Sequence, residues 1–447
     1  MPMNDKQVKQ QNFEVRLVER VTGRLKVPGD KSISHRALMF GALADGVTDV
    51  HGFLPGEDCL ATMAALRQMG VKIDQLDATT VRIEGVGLHG LSAPSAPLDM
   101  GNSGTAMRLF AGLLSGQKFD SELIGDESLM QRPMERVATP LRLMGAGIAT
   151  VNDTGRPPLQ ITGGRSLTGI EYAMPVASAQ VKSALLLAGL YAEGPTVVIE
   201  PDVTRDHTER MLEQFGYPTR HEGGRISLLP GGRLTATRID VPGDLSSAAF
   251  FLLAGTIAGA GELILENVGL NPTRTGILDI LRRMGADLIV GGPTGIDTMG
   301  ESSGTIIVQP ACLRGIDVPA ELVPLAIDEF PLVFIAASLA EGRTVISGAE
   351  ELRHKESDRI SVMVAGLRSL GVDIEEHPDG AVIHGGTLSG GEVDSAGDHR
   401  IAMAFAVAGI AAQAPIRILN TANVATSFPE FADHAQTIGM NLEIIDG

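Results

Sequence analysis

The chain has 447 residues, 54 of them Gly, and its formal net charge at pH 7 is −18. This length predicts two or more domains. The acidic balance, with no Trp and three Tyr, argues against a nucleic-acid-binding protein. Cys59 and Cys312 are too few and too far apart for a disulfide framework or a zinc cluster, so we expect a cytoplasmic protein with no metal.

The N-terminal stretch MPMNDKQVKQQNF is polar and contains no apolar signal core. The longest apolar runs, such as AMAFAVAGIAA, are too short for a transmembrane helix and contain Gly. We therefore expect no membrane partner.

An amphipathic helix that ends in Leu-x-x-apolar-Gly recurs along the chain, first as LRQMGVKI at residues 66–73. Each glycine suits a position just after a helix, where φ must be positive. Charged residues on the preceding turns predict that these helices face solvent. The glycines of the five clear copies and one weaker copy are Gly70, Gly145, Gly216, Gly285, Gly371 and Gly439.

A second helix, made of small and apolar residues, also recurs six times, from ALMFGALADG to RIAMAFAVAGIAA. A helix that is apolar nearly all round is buried. Six α/β units of about 75 residues are thus predicted, because similarity at a fixed period indicates repeated architecture. Packed three and three, they would form two similar lobes around a cleft.

The near copies VPGDKSISHRALMF and VPGDLSSAAFFLL begin at residues 27 and 241, about three units apart. We interpret them as the two crossings between lobes. One lobe would then contain residues 1–28 and 243–447, and the other would contain residues 29–242.

Polar residues cluster just before the buried helices, where free N–H groups and the helix dipole favour anions. Arginine suits a bidentate grip on phosphate or carboxylate, and lysine acts as a point charge. Several cations at corresponding helix ends of an acidic protein predict a local anion site. The cations that would form this clamp are Lys31, Arg36, Arg132, Lys355, Arg359 and Arg400.

Each cluster also has a simpler interpretation. Asn102, Ser178 and Ser246 are typical N-cap residues, and Asp328 could cap the helix that follows it. The run KESDR is typical of a solvated charged face. His35 and His399 are more often structural histidines than bases.

Six motifs in order resemble the 5-enolpyruvylshikimate-3-phosphate synthase family over most of the chain. They are PGDKSISHRALM, LDMGNSGTAMRL, GDESLMQRPMERV, SAQVKSALLLAGL, LRHKESDRI and GDHRIAMAFAV. The resemblance implies two lobes, each of three βαβαββ units, with the N-termini of the buried helices facing the cleft. It also implies an enzyme of aromatic amino acid biosynthesis that needs no cofactor.

The family transfers the enolpyruvyl group of phosphoenolpyruvate to the 5-hydroxyl of shikimate 3-phosphate and releases phosphate. By motif, the residues implied to contact shikimate 3-phosphate are Lys31, Ser32, Arg36, Ser178, Gln180, Asp328 and Lys355. Those implied to contact phosphoenolpyruvate are Lys31, Gly104, Arg132, Arg359 and Arg400.

The reaction needs a base for the hydroxyl proton and an acid for C3 of phosphoenolpyruvate. We assign Asp328 as the base and Glu356 as the acid, whose pKa would be raised by enclosure. Lys31 is the alternative proton donor. Cations around Glu356 would lower its pKa instead, which leaves the choice between these two residues open.

Two positions depart from the pattern of many relatives. Ala179 replaces a second serine, and Thr426 lies where a lysine often precedes Phe-Pro. Gly104 is retained, whereas tolerant relatives carry an Ala whose methyl crowds glyphosate. We therefore expect glyphosate to compete with phosphoenolpyruvate, and we expect a monomer.

Two alternatives remain at this stage. UDP-N-acetylglucosamine 1-carboxyvinyltransferase has a similar fold and chemistry, but it usually carries a cysteine in the loop that reads GDESLMQRP here. A repeat protein that only binds phosphate metabolites would not need Asp328, Glu356 and Lys31 together.

Overall fold

The computed structural model describes residues 11–292 and 300–446. Most of the N-terminal stretch without an apolar signal core lies outside the described residues. The described part of the chain is α/β, which confirms the predicted fold class. Its α-helices are α1 (Lys31–Leu43), α2 (Glu57–Gln68), α3 (Gly104–Ser115), α4 (Glu135–Leu143), α5 (Ala179–Gly189), α6 (His207–Gln214), α7 (Leu245–Ile257), α8 (Gly276–Arg283), α9 (Val323–Ala326), α10 (Phe330–Leu339), α11 (Arg359–Ser369), α12 (His399–Gly409) and α13 (Phe431–Thr437).

The strands, which are short, alternate with these helices. In chain order they are β1 (Gln11–Arg16), β2 (Gly23–Leu25), β3 (Asp45–His51), β4 (Lys72–Gln75), β5 (Thr80–Val86), β6 (Leu98–Asp99), β7 (Ser121–Ile124), β8 (Gly147–Thr150), β9 (Leu159–Thr162), β10 (Glu171–Ala173), β11 (Thr196–Ile199), β12 (Thr219–Glu222), β13 (Arg225–Leu228), β14 (Arg238–Asp240), β15 (Leu263–Gly269), β16 (Asp287–Val290), β17 (Ser303–Gln309), β18 (Arg343–Ile346), β19 (Asp373–His377), β20 (Gly380–His384), β21 (Gly391–Asp394), β22 (Ile416–Leu419) and β23 (Asn441–Asp446).

The chain divides into two compact units. The terminal unit consists of Met1–Val27, Gly243–Gly295 and Ser303–Gly447, and the central unit consists of Pro28–Pro242 and Ile296–Ser302. Each unit has its own hydrophobic core, and the two cores share no residue.

The sheets of the central unit share one pairing scheme. Their strand orders are β14-β3-β5-β4, β6-β7-β9-β8 and β10-β11-β13-β12. In each sheet the first pair is parallel and the next two pairs are antiparallel. The common scheme fits three copies of one α/β unit.

The terminal unit follows the same scheme with one variation. Its sheets have the orders β16-β17-β15-β2, β21-β22-β1-β23 and β18-β20-β19. The pairs β15–β2 and β21–β22 are parallel. In the three-stranded sheet, an isolated parallel bridge between Asp317 and Val345 stands where the others have a fourth strand.

Two kinds of helix alternate, as the sequence predicts. The mostly buried helices are α1, α3, α5, α7, α10 and α12. The helices with an exposed face are α2, α4, α6, α8, α11 and α13. The prediction of positive φ at the six glycines that follow the exposed helices is confirmed. The angles are 89° at Gly70, 98° at Gly145, 80° at Gly216, 102° at Gly285, 86° at Gly371 and 93° at Gly439.

Helices α3 and α5 approach each other closely in the core of the central unit. A Cβ at Gly112 of α3 would lie 2.4 Å from the carbonyl oxygen of Ala184 in α5. Only glycine permits this distance, since real Cβ atoms do not come so near a backbone atom. The close approach brings the first turns of α3 and α5 side by side.

One segment corrects the expectation that nothing approaches the length of a membrane span. Ala320–Leu339 has 20 residues and a mean hydropathy of 1.8 in its most apolar window. It is not one regular α-helix, because 3-10 turns precede and follow α9. Since 72% of the window is buried inside the protein, the segment is a core element.

Candidate active site

Three buried helices of the central unit begin with capped N-termini at the predicted anion-binding motifs. Asp30 caps α1 by accepting from Ile33 N at 2.9 Å, and Ser103 caps α3 by accepting from Ala106 N at 3.1 Å. Ser178 caps α5 with a longer contact of 3.4 Å to Val181 N. The capping interpretation is thus correct for Ser178 and wrong for Asn102, whose neighbour Ser103 is the cap.

Arg36 lies inside the central unit, with 3% of the residue exposed. Its Nε donates to Thr208 Oγ1 and its Nη2 donates to Ser183 Oγ, both at 2.7 Å. Its Nη1 donates to the carbonyl oxygen of Ser32 at 2.9 Å. Burial lowers the pKa of Arg36 to about 10, so the guanidinium is still protonated at neutral pH. These hydrogen-bond acceptors are neutral, so none of them cancels the positive charge of Arg36, which lies close to Ser32.

Lys31 is the first residue of α1 and is partly exposed. Its Nζ donates to Asp58 Oδ2 of α2 at 3.0 Å. This contact fixes the ammonium group at the N-terminus of α1, where the helix dipole also favours an anion.

Gly104, Arg108 and Arg132 form a crowded group at the start of α3. A Cβ at Gly104 would lie 3.0 Å from Arg108 Nη1 and 3.2 Å from Arg132 Nη1. Arg132 Nη2 donates to Asn102 Oδ1 at 2.5 Å. The absence of a side chain at Gly104 thus leaves room for two guanidinium groups beside a helix N-terminus.

Gln180 links α5 to α3 through both ends of its amide. Its Oε1 accepts from Arg108 Nη1 at 2.5 Å, and its Nε2 donates to Thr105 Oγ1 at 2.9 Å. The structure thus joins the motifs that contain Gly104 and Gln180 into one polar cluster.

Asp328 lies in the terminal unit, in a 3-10 turn directly before α10. Its Oδ1 is 3.4 Å from Lys355 Nζ and 3.5 Å from Arg359 Nη1. Asp328 does not cap α10, whose N-cap is Glu329. The carboxyl group of Asp328 thus lies within 4 Å of two cations.

Arg359 is the most buried cation of this set, with 1% of its side chain exposed. Its Nε donates to Asp398 Oδ2 at 2.8 Å, and its Nη2 donates to Glu356 Oε2 at 2.6 Å. Burial alone would lower the pKa of Arg359, but attraction to Asp398, Glu356 and Asp328 raises it above its ordinary value. The same interaction lowers the pKa of Asp398, although burial acts in the opposite direction.

Arg400, in the first turn of α12, contacts the backbone of Asp328. Its Nη1 donates to the carbonyl oxygen of Asp328 at 3.2 Å and lies 3.5 Å from Glu329 Oε1. Lys355 is held by Glu351 Oε1 at 3.0 Å. The structure therefore brings together all five predicted residues of this unit, namely Asp328, Lys355, Glu356, Arg359 and Arg400.

His35 of α1 is fully buried, as expected of a structural histidine rather than a base. Its Nδ1 is 2.8 Å from Thr62 Oγ1. Burial, helped by Lys31 and Arg36, lowers the pKa of His35 to about 3. The imidazole is therefore neutral at physiological pH and is not a proton donor there.

One group among the described residues has the composition of a metal site. Ligand atoms of Asp206, His207 and Glu301 lie within 4.8 Å of one another. However, Arg210 Nε is 2.9 Å from Asp206 Oδ2, and His207 Nδ1 is 2.5 Å from Glu301 Oε1. These contacts already occupy the ligand atoms.

The residues that hold the predicted site residues in place were not predicted from the sequence. They are Asp58, Ser183, Thr208, Glu329 and Asp398. Asp398 could have been found from the sequence, since Gly-Asp precedes a buried helix at Asp30, Asp244 and Asp398. The others lie far along the chain from the residues that they contact, and no local pattern marks them.

Comparisons with known proteins agree on one family. The model of the EPSP synthase (3-phosphoshikimate 1-carboxyvinyltransferase) family matches residues 15–435. A 3-phosphoshikimate 1-carboxyvinyltransferase of Acidithiobacillus ferrooxidans is 60% identical over 97% of this chain and 99% of its own length. The enzyme of the same name from Methylococcus capsulatus is 59% identical over 95% of this chain and 97% of its own length.

A solved structure of EPSP synthase from Acinetobacter baumannii has a similar fold. It superposes with a TM-score of 0.88 at 53% identity, and the alignment covers 98% of this chain and 100% of that one. From the motifs, the geometry and these comparisons, the chain belongs to the EPSP synthase (3-phosphoshikimate 1-carboxyvinyltransferase) family.

Proposed function

We propose how the two sets of residues divide the reaction that family membership assigns to this chain. The enolpyruvyl group of phosphoenolpyruvate is transferred to the 5-hydroxyl of shikimate 3-phosphate, and inorganic phosphate is released. The chain is thus a transferase of aromatic amino acid biosynthesis.

The central unit holds shikimate 3-phosphate through Lys31, Ser32, Arg36, Ser178 and Gln180. The support is the starts of α1 and α5, which offer free N–H groups and the positive end of the helix dipole. Arg36 adds positive charge, and the groups that accept its hydrogen bonds are neutral.

Phosphoenolpyruvate is held by Gly104 and Arg132 of the central unit and by Arg359 and Arg400 of the terminal unit, with Lys31 as a shared cation. Gly104 contributes space rather than charge, since a methyl there would touch two guanidinium groups.

Asp328 takes the proton of the 5-hydroxyl, and Lys355 helps to hold the shikimate hydroxyls. As the oxygen bonds to C2, C3 gains a proton, positive charge develops at C2, and a tetrahedral intermediate forms. The C2–O bond to phosphate then breaks and C3 loses a proton, which restores the double bond. The observation that carries this proposal is the position of Asp328 Oδ1, which lies within 3.5 Å of both Lys355 Nζ and Arg359 Nη1.

The proton at C3 comes from Glu356 or from Lys31. Glu356 Oε2 accepts a hydrogen bond from Arg359 Nη2 at 2.6 Å, which places its carboxyl group beside an arginine assigned to phosphoenolpyruvate. Lys31 is partly exposed, and its Nζ lies 3.0 Å from Asp58 Oδ2. Both remain candidates for the acid.

Glyphosate competes with phosphoenolpyruvate in this proposal, since it offers a phosphonate and a carboxylate to the same cations. We also propose a cytoplasmic monomer. The two cysteines are free, as in proteins of reducing compartments, and each unit has a core of its own.

The test of this function is phosphate release from phosphoenolpyruvate with two acceptors. We expect release with shikimate 3-phosphate and none with UDP-N-acetylglucosamine. Release with UDP-N-acetylglucosamine alone would support the alternative transferase, and release with neither would support a protein that only binds phosphate metabolites.

A further inference from the structure

Glu329, next to Asp328, is a buried carboxylate for which the reaction as proposed has no use. Only 2% of the residue is exposed, and its Oε1 accepts from Ser246 Oγ. Its Oε2 is also buried and has no hydrogen-bond donor among the described residues. A buried carboxylate with one unsatisfied oxygen is costly, and an apolar residue of similar size would avoid that cost.

Two arginines flank Oε1 of Glu329, the oxygen that also accepts from Ser246. Arg400 Nη1 lies 3.5 Å away, and Arg274 Nη2 lies 3.8 Å away. One negative charge therefore separates two positive charges inside the terminal unit.

The two arginines are not held equally firmly. Arg274 Nη2 donates to Ser246 Oγ at 2.5 Å and to Asp244 Oδ1 at 3.2 Å. Its side chain is 5% exposed, whereas that of Arg400 is 11% exposed. Besides Glu329, Arg400 donates to a neutral acceptor, the carbonyl oxygen of Asp328 at 3.2 Å, whereas Arg274 is anchored by a carboxylate and a hydroxyl. If the charge between them were removed, repulsion would therefore displace Arg400 rather than Arg274.

We propose that Glu329 is a positioning residue that holds the guanidinium of Arg400 in the orientation needed to bind phosphoenolpyruvate. It acts through Arg400 and touches neither substrate. This inference rests on the proposed function, which assigns Arg400 to phosphoenolpyruvate.

The proposal has a counterpart in the repeat of the sequence. Ser246 follows Asp244 in VPGDLSSAAFF as Ser32 follows Asp30 in VPGDKSISHRA. Leu245 and Phe250 replace Lys31 and Arg36, so this copy of the motif supplies no cation of its own. In the terminal unit, cations come from Arg274 and Arg400 instead, and Glu329 is the group that contacts both.

The test is the Michaelis constant of each substrate in Glu329→Gln. We expect KM for phosphoenolpyruvate to rise about tenfold and KM for shikimate 3-phosphate to stay within about twofold. The melting temperature should also fall, because Arg274 and Arg400 lose the carboxylate between them, so the separation of the two KM values is the deciding result. A purely structural role would lower the melting temperature without separating the two KM values, and would overturn the proposal.

A double-mutant cycle tests the route through Arg400. Arg400→Ala should raise KM for phosphoenolpyruvate by itself, and Glu329→Gln should add no further increase in that background. Additive effects would overturn the positioning role. An unchanged KM in Arg400→Ala would instead refute the assignment of Arg400 in the proposed function.

Two further variants complete the design. Glu321→Gln changes an exposed glutamate in the same segment and should leave both KM values unchanged.

If Glu329→Gln does not fold, Ser246→Ala removes the hydroxyl that contacts both Glu329 and Arg274. It should raise KM for phosphoenolpyruvate in the same direction by a smaller factor, and an unchanged KM would contradict the proposal.

Discussion

Arg36 of the central unit and Arg359 of the terminal unit differ in the charge of the groups that surround them. Arg36 is bound by two hydroxyl groups and a carbonyl oxygen, so its charge is not cancelled by its nearest partners. Arg359 contacts three carboxylates, those of Asp398, Glu356 and Asp328. Arg36 is thus suited to attract a phosphate, whereas Arg359 also organises the acidic groups around it.

At the residue scale, we predict that Gly104→Ala weakens glyphosate more than phosphoenolpyruvate. The methyl would press on Arg108 and Arg132 at 3.0 and 3.2 Å, and glyphosate is the longer of the two anions. The inhibition constant of glyphosate should rise by about tenfold or more, and KM for phosphoenolpyruvate should rise by less. Steady-state inhibition kinetics give both values.

The control for this variant is Gly386→Ala, where a methyl would have no neighbour within 4 Å. It should change neither constant. Equal losses for inhibitor and substrate in Gly104→Ala would refute the steric explanation.

A second residue-scale prediction concerns acid stability and His35. Its pKa is about 3 in the folded protein and near 6.5 in the unfolded chain. Between these values the unfolded chain binds the proton and the folded protein does not, so stability is lost as pH falls below 6.5. From pH 7.5 to 5.5 the loss due to His35 is about 1.4 kcal/mol.

Urea denaturation of the wild type and of His35→Asn at these two pH values checks the prediction. The free energy of unfolding should fall by about 1.4 kcal/mol less in the variant. The exposed His221, changed to Gln, should show the wild-type pH dependence. A variant as acid-sensitive as the wild type would contradict the account of His35.

At the element scale, α5 and α6 are joined by a buried ion cluster. Lys182 Nζ of α5 lies 2.7 Å from Glu209 Oε1 of α6 and 3.1 Å from Glu200 Oε1. The neighbours of Lys182 and Glu209 in sequence are Ser183 and Thr208, which hold Arg36. The ion cluster thus fixes the two helices that position this arginine.

We predict that Lys182→Met destabilises the protein by about 3–5 kcal/mol, because it leaves two buried carboxylates without their cation. Burial already raises the pKa of Glu200, even with Lys182 beside it. The dissociation constant of shikimate 3-phosphate should also increase as Ser183 and Thr208 shift. Urea denaturation and calorimetric titration measure the two effects.

The triple variant Lys182→Met, Glu200→Gln, Glu209→Gln should recover much of the lost stability, since no buried charge remains. Lys72→Met removes an exposed lysine that pairs with Glu84 and should leave the free energy of unfolding nearly unchanged. A cost for Lys182→Met as small as that for Lys72→Met would contradict the role of the cluster.

Elements were predictable from the sequence where the cause is local. A glycine that must adopt positive φ after a helix, such as Gly70 or Gly371, leaves a clear pattern, and an all-apolar helix such as α7 must be buried. The pairing of Lys182 with Glu209 leaves no such pattern, because it depends on how two helices pack. For the same reason the burial of Arg359 among three carboxylates could not be seen in the motif KESDR.

At the scale of the whole molecule, a chain of net charge −18 keeps its site cations at helix N-termini and inside carboxylate clusters. The overall charge repels anions at long range, so binding must come from these local groups. The motifs named the residues that we propose for the site, whereas the fold supplies the partners that orient them. Among these residues, Asp328 is the proposed base of the reaction.

The most direct test is the turnover of Asp328→Asn, measured as phosphate release at saturating concentrations of both substrates. Asp317→Asn, at an exposed aspartate of the same unit, is the matched control. We predict that kcat of Asp328→Asn falls by about 10²–10⁴-fold, because the 5-hydroxyl loses its base, while shikimate 3-phosphate still binds. A turnover close to that of the wild type and of the control would contradict the account.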